Sequence, residues 1–394
     1  MTKPFGREWL AEWPLDPEIT YLNHGTVGVT PNRVRVVERE IRDAIEREPS
    51  RFILRELSAA TFSGRSVQRP RLRAAADVVA AFLGARGEDV VFVDNTTTGI
   101  YAVLRSFPFE PGDEVLVTEL GYGGVLNAAR YATRERGATV REAPMPSPFS
   151  AGALTDAFVQ AVGSRTRLAI VDHIAAGSAL IFPVADIANR LKARSVAVIV
   201  DGAHAPGSIP LDIPSLGVDW YVGNLHKWAW VPRSSGVLWA APNRQAGLHP
   251  TVISWGLDQG FTAEFDTIGT RDPTSHLTAP AALALFDEWG RTAVQQYNHA
   301  LAWNGAHFLA DRWGTVFSTP EGLVGTMATV ALPEALGTTG EAAQRLRDAL
   351  LFEDRIEVQM HAFRGRIQAR ISAQIYNDMT DIERLGEAVA RRIA

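Results

Sequence analysis

Residues 197–230 read AVIVDGAHAPGSIPLDIPSLGVDWYVGNLHKWAW, and they contain two short apolar runs that each end in residues able to carry chemistry. AVIVD is short, continuous and β-branched, so it reads as a strand of a buried parallel sheet. It stops at Asp201, and His204 follows in the turn. DWYVGN reads as the next strand, ending at Asn224, after which come His226 and Lys227. Ligand groups in open α/β sheets collect where strands end and loops begin. This stretch therefore predicts both the fold class and the place of a site.

Outward from it, residues 74 to 241 alternate short apolar runs with amphipathic stretches, the pattern of an α/β domain with a mostly parallel sheet. The strand candidates are VVFVD, EVLVTE, TRLAIVDHI, VAVIVDGA, DWYVGN and GVLWAA. Helices are expected near 98–106, 123–136, 151–162 and 184–194. Beyond Gly260 the pattern changes to a helical stretch near 278–312, apolar MATVALP, a helix near 340–352, strand-like RIQARIS and a helix near 380–393. The expected organisation is an N-terminal segment over 1–30, a large domain over 31–260 and a smaller α+β domain over 261–394. With no repeat or Ser/Gly linker between them, the two domains are expected to share a firm interface.

The 394 residues, 46% of them hydrophobic, suffice for two packed domains. No run of about 18 apolar residues occurs, and MTKPFGREWLAEW does not resemble a leader, so a cytoplasmic location is expected. A net charge of -5 without a basic block leaves no electrostatic footprint for nucleic acid or an anionic membrane. Cysteine is absent, which excludes disulfides, cysteine-held metals and any mechanism through a protein thiol or persulfide. Small molecules and a second copy of the chain are the expected partners.

Of the 39 basic residues only Lys3, Lys192 and Lys227 are lysines. Arginine does not deprotonate in proteins, so a retained lysine is informative where an amine must react. Lys3 lies near the terminus, and Lys192 ends a helix-like stretch where a cation suits the dipole. Lys227 has neither explanation. Pyridoxal 5'-phosphate needs an amine for its aldehyde and a carboxylate beside its pyridine nitrogen, and Lys227 and Asp201 meet those needs. Trp228, Trp230 and Val231 favour desolvation, which lowers a lysine pKa from about 10.4. The alternative is a surface lysine lying over an aromatic patch. Asn95-Thr96-Thr97-Thr98-Gly99 after VVFVD offers backbone N–H groups and hydroxyls at a helix start, suited to a phosphate or to plain helix capping.

These segments, together with YLNHGTVGVTP (21–31), ELGYGG (119–124), VDHI (171–174), GTRDPT (269–274) and RISAQIYN (370–377), resemble in order the class V aminotransferase family of fold type I pyridoxal phosphate enzymes. The likeness is to the branch that includes isopenicillin N epimerase, and it runs almost end to end. It implies a large domain on a mostly parallel, seven-stranded type of sheet with a smaller C-terminal domain. It also implies Lys227 as the Schiff-base lysine, Asp201 at the pyridine nitrogen and His204 near the ring oxygen O3'. Tyr122 takes the ring-stacking position, while Thr96, Thr97, Asn224 and His226 bind the phosphate. Thr270 is expected to reach a neighbouring subunit's phosphate, which implies a homodimer with shared sites. Arg370 is expected to clamp the substrate carboxylate, with Asn23 and His24 approaching the substrate.

Each residue also has a plain reading. His204 and His226 fit as core histidines, Tyr122 as a core aromatic, and Asn23 and His24 as turn or cap residues. Arg370 competes with Arg364 and Arg366 in RGRIQAR. Ala175 and Ala176 stand where many relatives carry a polar residue, with His204 or Ser178 available to compensate. The expected activity is at the α-carbon of an amino acid: epimerase-like first, then C–S lyase, then aminotransferase. The absent thiol removes a persulfide-forming desulfurase. A non-catalytic sensor lacks a helix-turn-helix segment here, and a nucleotide-dependent oxidoreductase lacks GxGxxG and GxxxxGK.

Overall fold

The computed structural model describes residues 4–58 and 68–393, so Lys3 lies outside the described residues. A two-residue strand, β1 (Thr20–Tyr21), comes first. Seven strands then build the main sheet: β2 (Val90–Val93), β3 (Glu114–Thr118), β4 (Thr139–Ala143), β5 (Thr166–Asp172), β6 (Ala197–Asp201), β7 (Trp220–Asn224) and β8 (Gly236–Ala240). Their order is β2-β8-β7-β6-β5-β3-β4, and only β8 runs antiparallel to its neighbours. This is the expected α/β fold with a mostly parallel sheet.

The local chemistry accounts for these elements. β2, β3, β6, β7 and β8 are buried at every residue, which is why their sequences are continuous apolar runs rather than alternations. β4, TVREA, lies at the sheet edge with only Ala143 buried. Its polar composition hides it from a search for apolar runs. Helices span Thr96–Ser106, Gly123–Arg134, Ala151–Ala161 and Val184–Lys192, close to the expected stretches.

The stretch expected near 278–312 is two helices, Thr274–Glu288 and Arg291–Trp313. Gly290 separates them at φ +88°, a left-handed conformation that a glycine adopts without steric cost. The first packs mainly against the helices Asn32–Arg47 and Arg71–Phe82. The second lies on a small sheet made of β9 (Met327–Ala331), β11 (Gln359–Phe363) and β12 (Arg366–Ser372), in the order β11-β12-β9. The remaining strand, β10 (Ile356–Glu357), pairs in parallel with β1 and so carries the N-terminal segment to the small sheet. Trp13 packs edge-on against Trp230 and Tyr376, at ring separations of 5.4 Å and 5.0 Å. Such pairs contribute about 0.5–1.5 kcal/mol each beyond their burial. Among the described residues no helix is long and apolar enough to cross a membrane.

Candidate active site

The C-terminal ends of the parallel strands open on a cavity of about 710 Å³, within the size range of small-molecule sites. Asp201 ends β6, Asn224 ends β7, and the loop after β2 brings Thr96 and Thr97 to the start of a helix; all four line the cavity. Asn95 caps that helix by accepting the Thr98 N–H at 3.0 Å, and the Asn224 side-chain oxygen accepts the Thr96 N–H at 2.9 Å. The Thr96 hydroxyl is buried with no partner among the described residues. A positive helix end and a hydroxyl thus face the same space.

Lys227, His226, His204 and Tyr122 complete the lining. Lys227 stands on a loop braced from below by Trp228 and Trp230, both essentially inaccessible. Trp230 has φ +61°, a conformation costing a non-glycine residue of order 1–3 kcal/mol, which its close packing offsets. Burial, with Arg370 adding repulsion, pushes the Lys227 ammonium down to about 7, while Asp201 works the other way. Its Nζ is 3.1 Å from Nε2 of His204, and burial with nearby Lys227 holds His204 well below the ordinary histidine range. The Asp201 carboxyl accepts the Ala203 N–H at 3.0 Å; burial raises its pKa, and that bond and Lys227 oppose the rise.

Arg370 comes from β12 and is buried at 4% exposure. Its guanidinium donates to the Ala176 carbonyl, to the Asn23 side-chain oxygen at 3.3 Å and to the Thr26 hydroxyl at 2.7 Å. Among the described residues no carboxylate pairs with it, and burial lowers its pKa to about 10. Arg364 and Arg366, its competitors in the sequence, are committed to Glu119 at 2.6 Å and Glu334 at 2.9 Å. A second cavity of about 380 Å³ contains Arg370 and shares Thr26, Tyr122, Ala176, His204 and Lys227 with the first.

Three expected residues lie elsewhere. His24 is fully buried behind the lysine loop, with Nδ1 2.9 Å from the Tyr376 hydroxyl and Nε2 3.0 Å from the Lys227 carbonyl oxygen. Both ring nitrogens are engaged and it lines neither cavity, a placement that supports the loop carrying Lys227. Asn23 also lines neither cavity and acts through its bond to Arg370. Thr270 is exposed and outside both linings, so a single chain does not bring it to its own site.

Sequence reasoning misses other residues of the site. Asp172, in VDHI, is the register partner of Asp201 on the neighbouring strand and lines the same cavity. Burial and the Asp201 charge push its carboxyl well above the usual range. Gln359 and His361 line the second cavity from β11, a strand absent from the sequence candidates. The alternation in VQMHAF, with Val358 and Met360 buried, is the signal for it.

The donor set fits pyridoxal 5'-phosphate. Thr96, Thr97, Asn224 and His226 suit its phosphate, Asp201 its ring nitrogen and Lys227 its aldehyde. The Thr96 hydroxyl and Nδ1 of His204 are buried polar atoms lining this cavity that lack protein partners among the described residues.

Residues 60–335 match the family Aminotransferase class-V. The chain is 30% identical to a probable chloroplastic L-cysteine desulfhydrase of Arabidopsis thaliana, over 95% of this chain and 83% of that protein. It is also 30% identical to isopenicillin N epimerase of Streptomyces clavuligerus, over 95% of each. Among solved structures it superposes on the cystine C–S lyase C-DES with a TM-score of 0.77 at 21% identity, covering 98% of this chain and 99% of that one. A cysteine desulfurase from Thermococcus onnurineus NA1 gives a TM-score of 0.79 at 16% identity, covering 99% of this chain and 98% of that one. The sheet topology, the lysine and aspartate meeting at its strand ends, and the match across most of the sequence make this chain a pyridoxal 5'-phosphate enzyme of the aminotransferase class V family.

Proposed function

We propose that the enzyme binds an amino acid by its α-carboxylate on Arg370 and moves the α-proton with Lys227, as an epimerase. The observation that carries this reading is the buried Arg370 guanidinium, without a carboxylate partner among the described residues, in a cavity that shares Lys227 and His204 with the one lined by Asp201. A planar guanidinium suits a carboxylate, and the buried charge gains most when an anion joins it.

When bound, pyridoxal phosphate supplies an electron sink that labilises bonds at the amino-acid α-carbon. The Lys227 amine, pushed down to about 7, is substantially neutral near physiological pH and so able to take a proton there. Asp201 would stand as the carboxylate partner of the ring nitrogen and would favour a proton there. His204 lies 3.1 Å from Nζ and keeps the amine aligned. Thr96, Thr97, Asn224 and His226 would hold the phosphate, and Tyr122, also in the lining, would supply an aromatic face.

A second reading, C–S lyase, draws support from the desulfhydrase relatives, and it needs no protein thiol. Both reactions share the proton-abstraction step; an epimerase then returns a proton to the opposite face, whereas a lyase expels the β-substituent. Incubation with an amino-acid panel in deuterated water, read by mass and chirality, separates them. α-Deuteration with inversion supports the epimerase, loss of the β-substituent supports the lyase, and keto-acid formation supports an aminotransferase.

The reading includes a homodimer. Thr270 is exposed and outside its own chain's linings, and exposed Val252 and Ile253 directly follow Thr251 of the cavity wall. A monomeric mass in solution would count against shared sites.

A further inference from the structure

The 380 Å³ cavity shares Thr26, Tyr122, Ala176, His204 and Lys227 with the first and extends beyond them to Gln359, His361 and Phe363. Its outer wall is one face of the small sheet. Gln359 lies opposite Arg370 in the β11–β12 register, and Gln359, His361 and Phe363 alternate with Met360, which is buried in the small core. A carboxylate held on Arg370 therefore leaves the rest of an amino acid beside Gln359 and His361.

The facing wall is fixed. Arg370 donates to the Ala176 carbonyl, and the Thr329 hydroxyl donates to the Gly177 carbonyl at 2.8 Å. A Cβ on Gly177 would lie 3.3 Å from Nε2 of His361, so loop and imidazole nearly touch and close one side. The Ser178 hydroxyl, also lining this cavity, is buried with no partner among the described residues.

The charges of this wall are spoken for. The Glu119 carboxylate accepts from Arg364 at 2.6 Å and from the Met145 N–H at 2.8 Å, while Arg364 also donates to the Met145 carbonyl. Burial, then Arg370, brings His361 down to about 4, so its ring is neutral near pH 7. The groups left to recognise a ligand are the His361 imidazole, the Ser178 hydroxyl and the Gln359 amide, whose Nε2 also donates to the Met360 carbonyl at 3.3 Å.

Resting on the reading that an amino acid binds through Arg370, we infer that this cavity is a side-chain subsite selecting an extended, uncharged, hydrogen-bonding side chain, with His361 as its specificity-determining residue. A second carboxylate finds both nearby arginines engaged, and a cationic side chain finds the Glu119 carboxylate of this wall already paired with Arg364. A side chain ending in an amide satisfies the neutral donors and acceptors.

The test is titration of the holoenzyme with alanine, glutamine, glutamate and lysine, followed by the cofactor's visible absorption and by calorimetry. Glutamine is expected to bind about 10-fold more tightly than alanine, glutamate or lysine, the discrimination of about one hydrogen bond made in a buried site. In His361→Ala the glutamine-to-alanine ratio should fall to within about 3-fold, and His361→Gln, which keeps a hydrogen-bonding head, should restore part of it. Tightest binding of glutamate or lysine, or a ratio unmoved in His361→Ala, would overturn the inference. A response to alanine without preference for glutamine overturns the subsite alone; silence toward every amino acid overturns the α-carbon reading with it.

Discussion

Nζ of Lys227 and Nε2 of His204 lie 3.1 Å apart, one from the loop after β7 and the other from the turn after β6. The two share one polar contact inside a cavity wall that is otherwise desolvating. Burial and then Lys227 disfavour a proton on His204, while burial and then Arg370 disfavour one on the amine, which is so kept available as a base and nucleophile.

The first consequence concerns attachment. Borohydride reduction of the yellow holoenzyme, followed by peptide mapping, should fix the cofactor on Lys227. Lys227→Ala should lose that label and at least about 100-fold of the rate, the lower range for losing a positioned acid–base group. Label found on Lys192 would remove Lys227 from its role.

The second concerns pH. The reactive form of an amine is the free base, so acetylation of Lys227 in cofactor-free protein should climb as pH rises through about 7 and then level off. An ordinary lysine would keep climbing toward about 10.4. A Lys227 profile of that ordinary kind, read by mass spectrometry, would contradict the desolvated environment.

Arg370 makes a separable prediction. Arg370→Ala should weaken amino-acid binding about 10- to 100-fold, as expected for losing a charged hydrogen-bonding partner, with much less effect on cofactor affinity. Arg370→Lys should recover only part of the loss because an ammonium lacks the planar fork. Unchanged substrate affinity in the alanine variant would take Arg370 out of the site.

Gly28 tests the support beneath the lysine. It has φ +65°, and a Cβ there would meet the carbonyl oxygen of His226, one residue before Lys227. Gly28→Ala should lower stability by more than about 1 kcal/mol and weaken cofactor retention, measured by thermal unfolding and visible absorbance. Wild-type values for both would show that the loop can shift freely.

Much of this site is legible in order along the chain. Asp201 and Lys227 stand out because apolar runs fix the strands, and the strand ends fix where polar groups gather. NTTTG is legible because a helix start after a strand has few readings. β4 is not, since an edge strand needs no apolar face. The role of His24 is hidden for a related reason: its sequence neighbours are shared by substrate-facing and supporting roles, and only its bonds to Tyr376 and the Lys227 carbonyl distinguish them. The alternation in VQMHAF marks a strand, but the significance of His361 comes from lining the same cavity as Arg370, which only the pairing of β11 with β12 brings about.

By itself the sequence determined the alternation of strands and helices, the single lysine placed after a buried strand, and the exclusion of thiol chemistry. Those are properties of spacing and composition, which act locally. The tertiary structure decided which of Arg364, Arg366 and Arg370 is left without a carboxylate partner among the described residues, which histidine reaches the Lys227 amine, and which polar residues border the second cavity. Desolvation and charge pairing depend on segments far apart in the chain, such as residues 23–26 with 370 and 176–178 with 361, and folding alone brings them together.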